Sequence, residues 1–562
     1  MSVINRENKG MENELNIGLT FSGGGYRAAT FDLGTMSFLN SILLEDGRTL
    51  LECVSAMSSV SGGTIPALKY MLALANKQPV DEMIDELYDF LLDENLVVPV
   101  LQGMSSEKAN RNASLIKIMA GIYDERLFKH ATMGDIIDNL EHIHVKDYTA
   151  LATDFDNALP FRFRVTEGLT TDDKRLYYGV FGNSKHHIGL KVARYITAGE
   201  ALACSSCFPS GFEPMMYPDD FKVSQQPDVA STITKRFGLM DGGVADNQGI
   251  ESIVLAEKRS RRYRKDRNRT DQAFDLVIVS DVSNPYMNGY EPSEQMLPKG
   301  VSKLTIGRLR NYGLITEAVV MALFILSIVL GSGFWTGVMS VVLAIVTVVN
   351  IAGALLKNKM FSAIGKTFIG NNATFISHMK FATIEALLMN RAKSLVKMSS
   401  EVFMKRMRQL NYDVLYENPA WENRRLSTTV YELRPDERWC KRLPDSRGKR
   451  IIKDETELPA YLVPSDAMQQ NSAQAASMGS TLWFTAEDVK TGMPQALMAC
   501  GQYTMCFNLL DYLEQIELDS TNLTSGHQLL LACKSQLLAA WQKFQLDPQW
   551  MVPNKKNHED IQ

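Results

Sequence analysis

What this chain lacks narrows the field first. Neither charge is in surplus: 59 lysines and arginines against 64 aspartates and glutamates leave a formal net charge of -5, so the average surface is not that of a nucleic-acid binder. The seven cysteines are odd in number, scattered and mostly in apolar contexts, which fits reduced, buried thiols rather than a disulfide framework. Cys204 and Cys207 form a C-x-x-C, but no second pair follows at zinc-ribbon spacing, and no metal is expected. The opening MSVINRENKGMENEL has no apolar stretch of signal-peptide length, so export by that route is not expected. There is no lysine-bearing phosphate loop, no dinucleotide fingerprint, no calcium-binding loop and no internal repeat. None of the eight histidines sits in a motif resembling a triad histidine at a strand end. The expected cofactor is none.

What is present is 562 residues, 45% hydrophobic, enough for one large α/β domain with insertions or for two or three domains. The stretch from Leu50 to Tyr70 reads as a strand of small and apolar residues, a tight turn at Ser61-Gly62-Gly63, and a helix from about Ile65. A serine on such a turn stands clear of the sheet at a helix N-terminus, where developing negative charge is favoured. The usual spelling is G-x-S-x-G; here Ser59 replaces the first glycine, and Ser58 and Ser59 leave open which serine acts. By itself the stretch equally describes an ordinary turn.

Upstream, LNIGLTF at 15–21 reads as a buried strand ending in Ser22-Gly23-Gly24-Gly25-Tyr26-Arg27-Ala28 and a helix to about Leu44. Three consecutive glycines let backbone N–H groups point into open space, suited to a phosphate or an oxyanion, and Arg27 adds a positive charge one turn on. The strand–helix–strand spacing places this turn beside the Ser61 turn at one sheet edge. Residues 75–145 carry amphipathic helical patterns, and 150–165 read as a strand pair around an Asp154/Asn157 turn. Further on, LMDGGVADNQGI at 239–250 puts Asp241, followed by Gly242 and Gly243, at a strand end; D-G-G is also a common turn.

Lys258 to Arg269 holds eight basic residues in twelve, either a solvated helix end or a contact with an anionic lipid surface. From Ala318 to Leu356, 39 residues pass without a charged side chain. That is roughly 59 Å of helix, about twice a hydrocarbon core, with Gly331-Ser332-Gly333 near its middle. Two spans, about 314–331 and 335–356, are expected as a hairpin, with a buried helical pair as the alternative. Arg308 and Arg310 before it and Lys357 and Lys359 after it place both ends on the cytoplasmic side.

Taken together, SGGGYRA at 22–28, SVSGG at 59–63, FPSGFEP at 208–214 and DGGVADN at 241–247 resemble the patatin-like phospholipases, including the cytosolic phospholipase A branch, over about 15–285. The resemblance implies a three-layer α/β/α fold with a central, mostly parallel sheet, to which the transmembrane helical hairpin is an insertion. It also implies a serine–aspartate dyad: Ser61 as nucleophile, Asp241 as general base, and Gly23, Gly24 and Gly25 as the oxyanion loop, Gly24 and Gly25 donating and Gly23 shaping the turn. Arg27 would assist anion or phosphate binding, with Ser59, Gly62, Gly63, Gly242 and Gly243 supporting the two turns. No metal is required.

The domain reading is a tail at 1–14, a catalytic core at 15–285, a linker at 286–313 and the hairpin at 314–356. A helical part at 357–545 follows, packing on the core and holding a polar, loop-rich insertion at about 417–480, and then a tail at 546–562. The expected function is a lipid acyl hydrolase of the phospholipase A or lysophospholipase type acting on ester bonds of membrane lipids. An acyltransferase, a thioesterase or a membrane-anchored non-catalytic scaffold are the alternatives. Membrane phospholipid and the bilayer are the expected partners, an activator or self-association is compatible, and nucleic acid is not expected. The expected location is a membrane, of the bacterial inner-membrane type, with the catalytic domain cytoplasmic.

Overall fold

The computed structural model describes residues 15–93, 114–166, 181–209, 211–225, 235–266, 274–282, 289–294, 296–368, 378–435, 442–444, 450–452, 459–518 and 523–553. The chain divides into two compact units, one of residues 1–287 with 399–562 and one of residues 288–398.

The first unit is built on a ten-stranded sheet. Its strands are β1 (Ile17–Phe21), β2 (Val54–Val60), β3 (Asp147–Asp154), β4 (Leu159–Thr166), β5 (Phe181–Gly182), β6 (His187–Ile188), β7 (Met215–Tyr217), β8 (Phe237–Asp241), β9 (Leu276–Asp281) and β10 (Arg425–Thr429). The order is β10-β9-β1-β2-β3-β4-β5-β6, with β8 paired to β3 and β7 to β8. From β10 to β3 every pairing is parallel, and the rest are antiparallel. The sheet is therefore mixed rather than mostly parallel. Helical crossovers such as β1–α1–β2 (α1, Gly25–Ser41) impose parallel pairing, whereas the tight Asp154–Asn157 turn forces β3 and β4 into a hairpin. β1 and β9 are buried along their whole length, as expected of strands covered on both faces.

α1 and α2 (Thr64–Ala75) follow the two glycine-bearing turns. α1 is buried almost all round because the Met493–Leu518 helix lies against it. The two backbones approach so closely that a Cβ on Gly34 would stand 2.2 Å from the Met498 carbonyl oxygen, and one on Gly501 2.1 Å from that of Phe31.

One expectation is corrected here. The 417–480 stretch is not simply loops and an insertion: it supplies β10, which pairs with β9 at the sheet edge, and the Asp466–Ser477 helix. Before it lie two helices, Phe381–Lys397 and Phe403–Tyr416, with a π turn at Met398–Val402. Within the basic run, Arg259 is engaged by Asp147 through two 2.8 Å contacts, and the side chains from residue 261 to 269 lie outside the described residues.

The second unit contains two long helices, Ile306–Val329 and Gly333–Phe368. Each holds a 23-residue segment long enough to cross a membrane, Gly307–Val329 and Gly333–Leu355, whose most apolar 18-residue windows have mean hydropathies of 2.2 and 2.4. Leu326, Val329, Val348 and Leu355 are among the side chains left exposed. The first helix begins earlier than the expected span and takes in Arg308 and Arg310. Glu317 is bonded within the pair: Thr347 Oγ1 and Asn350 Nδ2 each donate to its carboxylate at 2.8 Å.

Candidate active site

β1 and β2 are neighbours and parallel, so the turns leaving them emerge at the same sheet edge. Ser61 takes φ +50°, a left-handed conformation that a side chain with a Cβ adopts only under constraint. Gly62 is required there by proximity: a Cβ would stand 2.1 Å from the carbonyl oxygen of Gly25, and one on Gly63 2.7 Å from that of Ser22. The Ser61 N–H donates to Ser205 Oγ at 2.9 Å. The three serines differ in their surroundings. Ser58 and Ser59 are buried within β2, and Ser59 Oγ is hydrogen-bonded with the Tyr148 hydroxyl at 3.0 Å, whereas Ser61 keeps partial exposure on the turn.

Asp241 ends β8 and is fully buried. Its Oδ1 accepts the Gly243 N–H at 2.7 Å. Burial pushes its pKa up to about 6, against the opposing pull of that hydrogen bond and of the nearby Ser61 side chain. Its main chain is fixed on both sides, N–H to the Cys207 carbonyl at 2.9 Å and carbonyl to Thr153 Oγ1 at 2.8 Å. Gly242 passes close to β3, where a Cβ would stand 2.2 Å from the Leu151 carbonyl oxygen.

The glycine loop lies against this pair: a Cβ on Gly23 would be 3.1 Å from the Ser61 Cβ. Gly23 is not an oxyanion donor, however, because its N–H is spent on the Asn247 carbonyl at 3.0 Å. Gly24 and Gly25 have no hydrogen-bond partner for their N–H groups among the described residues, as befits the open N-terminus of α1.

Arg27 does not face an open site. It is 7% exposed, and its guanidinium donates to the Tyr431 hydroxyl at 2.9 Å, the Met478 carbonyl at 2.8 Å and Ser480 Oγ at 3.3 Å. Burial lowers its pKa from the ordinary guanidinium value. The expected phosphate contact is corrected to a structural one: three protein acceptors already occupy the group.

Asp154, Asp156 and His186 come together closely enough to hold a cation, but the Asp154 oxygens are taken by the N–H groups of Asp156 and Asn157, the side-chain amides of Asn157 and Asn183, and His186. Asp154 is a turn former. Sequence reasoning missed Ser205 and Asn247, which brace the two turns. Asn247 lay inside a motif already noticed, and Ser205 lies in a run of small residues that carries no pattern of its own.

Compared with known families, residues 19–254 match the patatin-like phospholipases. Among solved structures the chain is similar to human GIVD cytosolic phospholipase A2, at 12% identity, with 48% of this chain and 43% of that chain covered and a TM-score of 0.28. It is likewise similar to the same protein in complex with methyl gamma-linolenyl fluorophosphonate and terbium chloride, at 12% identity, 48% and 40% coverage and a TM-score of 0.28. The aligned part spans less than half of those chains. No match is found among curated proteins.

Proposed function

We propose, from the match of residues 19–254 to the patatin-like phospholipases, a membrane-anchored lipid acyl hydrolase in which Ser61 is the nucleophile and Asp241 the general base. The observation that carries the reading is a partly exposed serine held at φ +50°, with the glycine loop against it, beside a buried carboxyl group whose pKa of about 6 leaves it ionised at neutral pH.

Ser61 Oγ attacks the ester carbonyl of a lipid while Asp241 takes its proton. Negative charge then develops on the former carbonyl oxygen. The unclaimed N–H groups of Gly24 and Gly25 suit that charge, each such donor being worth about 3 kcal/mol in the transition state. Collapse expels the lysolipid alcohol, which receives the proton from Asp241. Water, deprotonated by the same carboxylate, then releases the fatty acid and restores the serine.

Membrane lipids are favoured as substrates because the chain also bears two long apolar helices with exposed faces, which suggest membrane association. Arg308 and Arg310 before them and Lys357 and Lys359 after them favour a hairpin with both ends cytoplasmic, leaving the catalytic unit on that side.

The test is the full-length protein in mixed micelles of phosphatidylglycerol and phosphatidylethanolamine, with fatty acid and lysolipid read by mass spectrometry. Release by wild type that is lost in Ser61→Ala and in Asp241→Asn is expected, and the lysolipid isomer identifies the bond cut. Undiminished release by Ser61→Ala would overturn the assignment of the nucleophile.

A further inference from the structure

We propose that Ser205 is a positioning residue that holds the Ser61 turn at the separation Asp241 requires; the inference rests on the roles given above to Ser61 and Asp241. Ser205 sits near the end of the Ala198–Ser206 helix, fully buried. Its Oγ accepts the Ser61 N–H at 2.9 Å and lies 2.9 Å from Thr64 Oγ1 at the start of α2. Its own carbonyl accepts the Gly242 N–H at 3.2 Å, the residue after Asp241, and two residues on the Cys207 carbonyl accepts the Asp241 N–H at 2.9 Å. One residue therefore joins the serine turn through its side chain and the aspartate turn through its main chain.

The neighbouring serine shows that this is not the default. Ser206 Oγ donates back to the Leu202 carbonyl at 2.8 Å, the ordinary way for a helical serine to satisfy itself. Ser205 Oγ instead has its partners on the elbow, and the elbow needs one. A serine at φ +50° relaxes toward negative φ unless its N–H is held, and that rotation carries Oγ away from Asp241. With Ser61 N–H donating to it, Ser205 Oγ is left to share a proton with Thr64 Oγ1, so the clamp also fixes the first residue of α2.

The role is separable from folding. Ser205 is fully buried, so removing its hydroxyl misplaces the nucleophile without altering the exposed surface, and Ser205→Ala should lose kcat on the order of 10- to 100-fold, with KM unchanged. Labelling of Ser61 by a fluorophosphonate should slow by the same factor at a temperature well below the variant's Tm. Thr64→Val, which keeps the Ser61 N–H bond and removes only the second arm, should label about threefold more slowly than wild type.

Both rates are read on full-length protein by intact mass, beside a thermal melt. Wild-type labelling of Ser205→Ala, or a kcat loss no larger than its loss of folded fraction, overturns the role. Should Ser205→Ala fail to fold, wild-type labelling of Thr64→Val overturns it instead. A wild-type protein that is not labelled at Ser61 refutes the dyad itself, and the positioning role falls with it; labelled wild type beside equally labelled variants refutes only the latter.

Discussion

Ser61 and Arg27 are both conspicuous residues of short glycine-bearing motifs, and the fold treats them in opposite ways. Ser61 is held in a strained conformation, keeps partial exposure and lies beside a buried carboxyl group whose pKa it helps to lower. Arg27, next to an equally glycine-rich turn, is buried among three acceptors, none of them a carboxylate, and the Tyr431 ring lies beneath it. A motif position shows where a side chain starts; whether it is free to do chemistry is decided by what the rest of the chain brings to it. Strain with access marks a group kept for reaction, and burial among protein acceptors marks a group kept for the fold.

The sharpest way to break this contrast is at Ser61. Ser61→Ala should lower fatty-acid release by at least about 1000-fold, roughly 4 kcal/mol of transition-state stabilisation, while changing unfolding free energy by less than about 1 kcal/mol. Activity and urea melts on the same preparation test both halves. A large loss of stability in this variant would place Ser61 with Arg27 among structural residues.

Asp241 should show the same trade between function and stability through pH. Its pKa of about 6 lies above the unfolded value of about 4. Between those values the folded state holds a proton that the unfolded chain has released, so stability rises as pH falls through 6, and the ionised form costs stability above it. Asp241→Asn should therefore abolish turnover yet raise unfolding free energy at pH 8 by up to about 3 kcal/mol, shrinking toward zero by pH 4. In wild type, kcat/KM should fall about tenfold per pH unit below pH 6 as the base becomes protonated. A flat profile down to pH 4.5 would remove Asp241 from that role.

Arg27 gives the mirror image. Arg27→Met should cost about 2 kcal/mol of stability, since it leaves the Tyr431 hydroxyl and the Met478 carbonyl without their charged partner. KM for an anionic phospholipid should stay within about twofold of wild type in the fraction that remains folded. Unchanged stability with a raised KM would return Arg27 to phosphate binding.

The contrast also explains what could be read in advance. β1, the Ser22–Ala28 turn, β2 with the Ser61 turn, and Asp241 at the end of β8 were legible because each depends on local rules: apolar runs, glycines where backbones meet, a carboxylate at a strand end. The partners of Arg27 were not, because they lie 404 to 453 residues away in sequence. They flank or belong to a stretch whose polar composition reads as loop. β10 within it is a five-residue edge strand, buried on alternate residues only, and a period of two over so short a span is easily passed over. The β3–β4 hairpin was legible from its turn, whereas the antiparallel pairing of β8 with β3 joins strands far apart in sequence and follows only from the fold. Ser205 is invisible for a third reason, since a serine among small residues signals nothing until two other loops arrive beside it.

Glu317 supplies the smallest and most discriminating test. An ionisable residue within an apolar helix is a functional candidate by default, yet Thr347 and Asn350 donate to both of its oxygens, an arrangement nearer to Arg27 than to Ser61. The clasp joins the two helices of one hairpin, and hydrogen bonds of this kind in membranes average about 0.6 kcal/mol. Asn350→Ala should therefore shift hairpin stability in detergent by less than about 1 kcal/mol, and Glu317→Gln, which keeps one acceptor for the clasp, should shift it less still. Neither should change fatty-acid release from vesicles by more than about twofold. A tenfold loss in Glu317→Gln, with the protein still membrane-bound, would mean that the charge itself is used, and the rule that satisfied groups serve the fold would fail at Glu317.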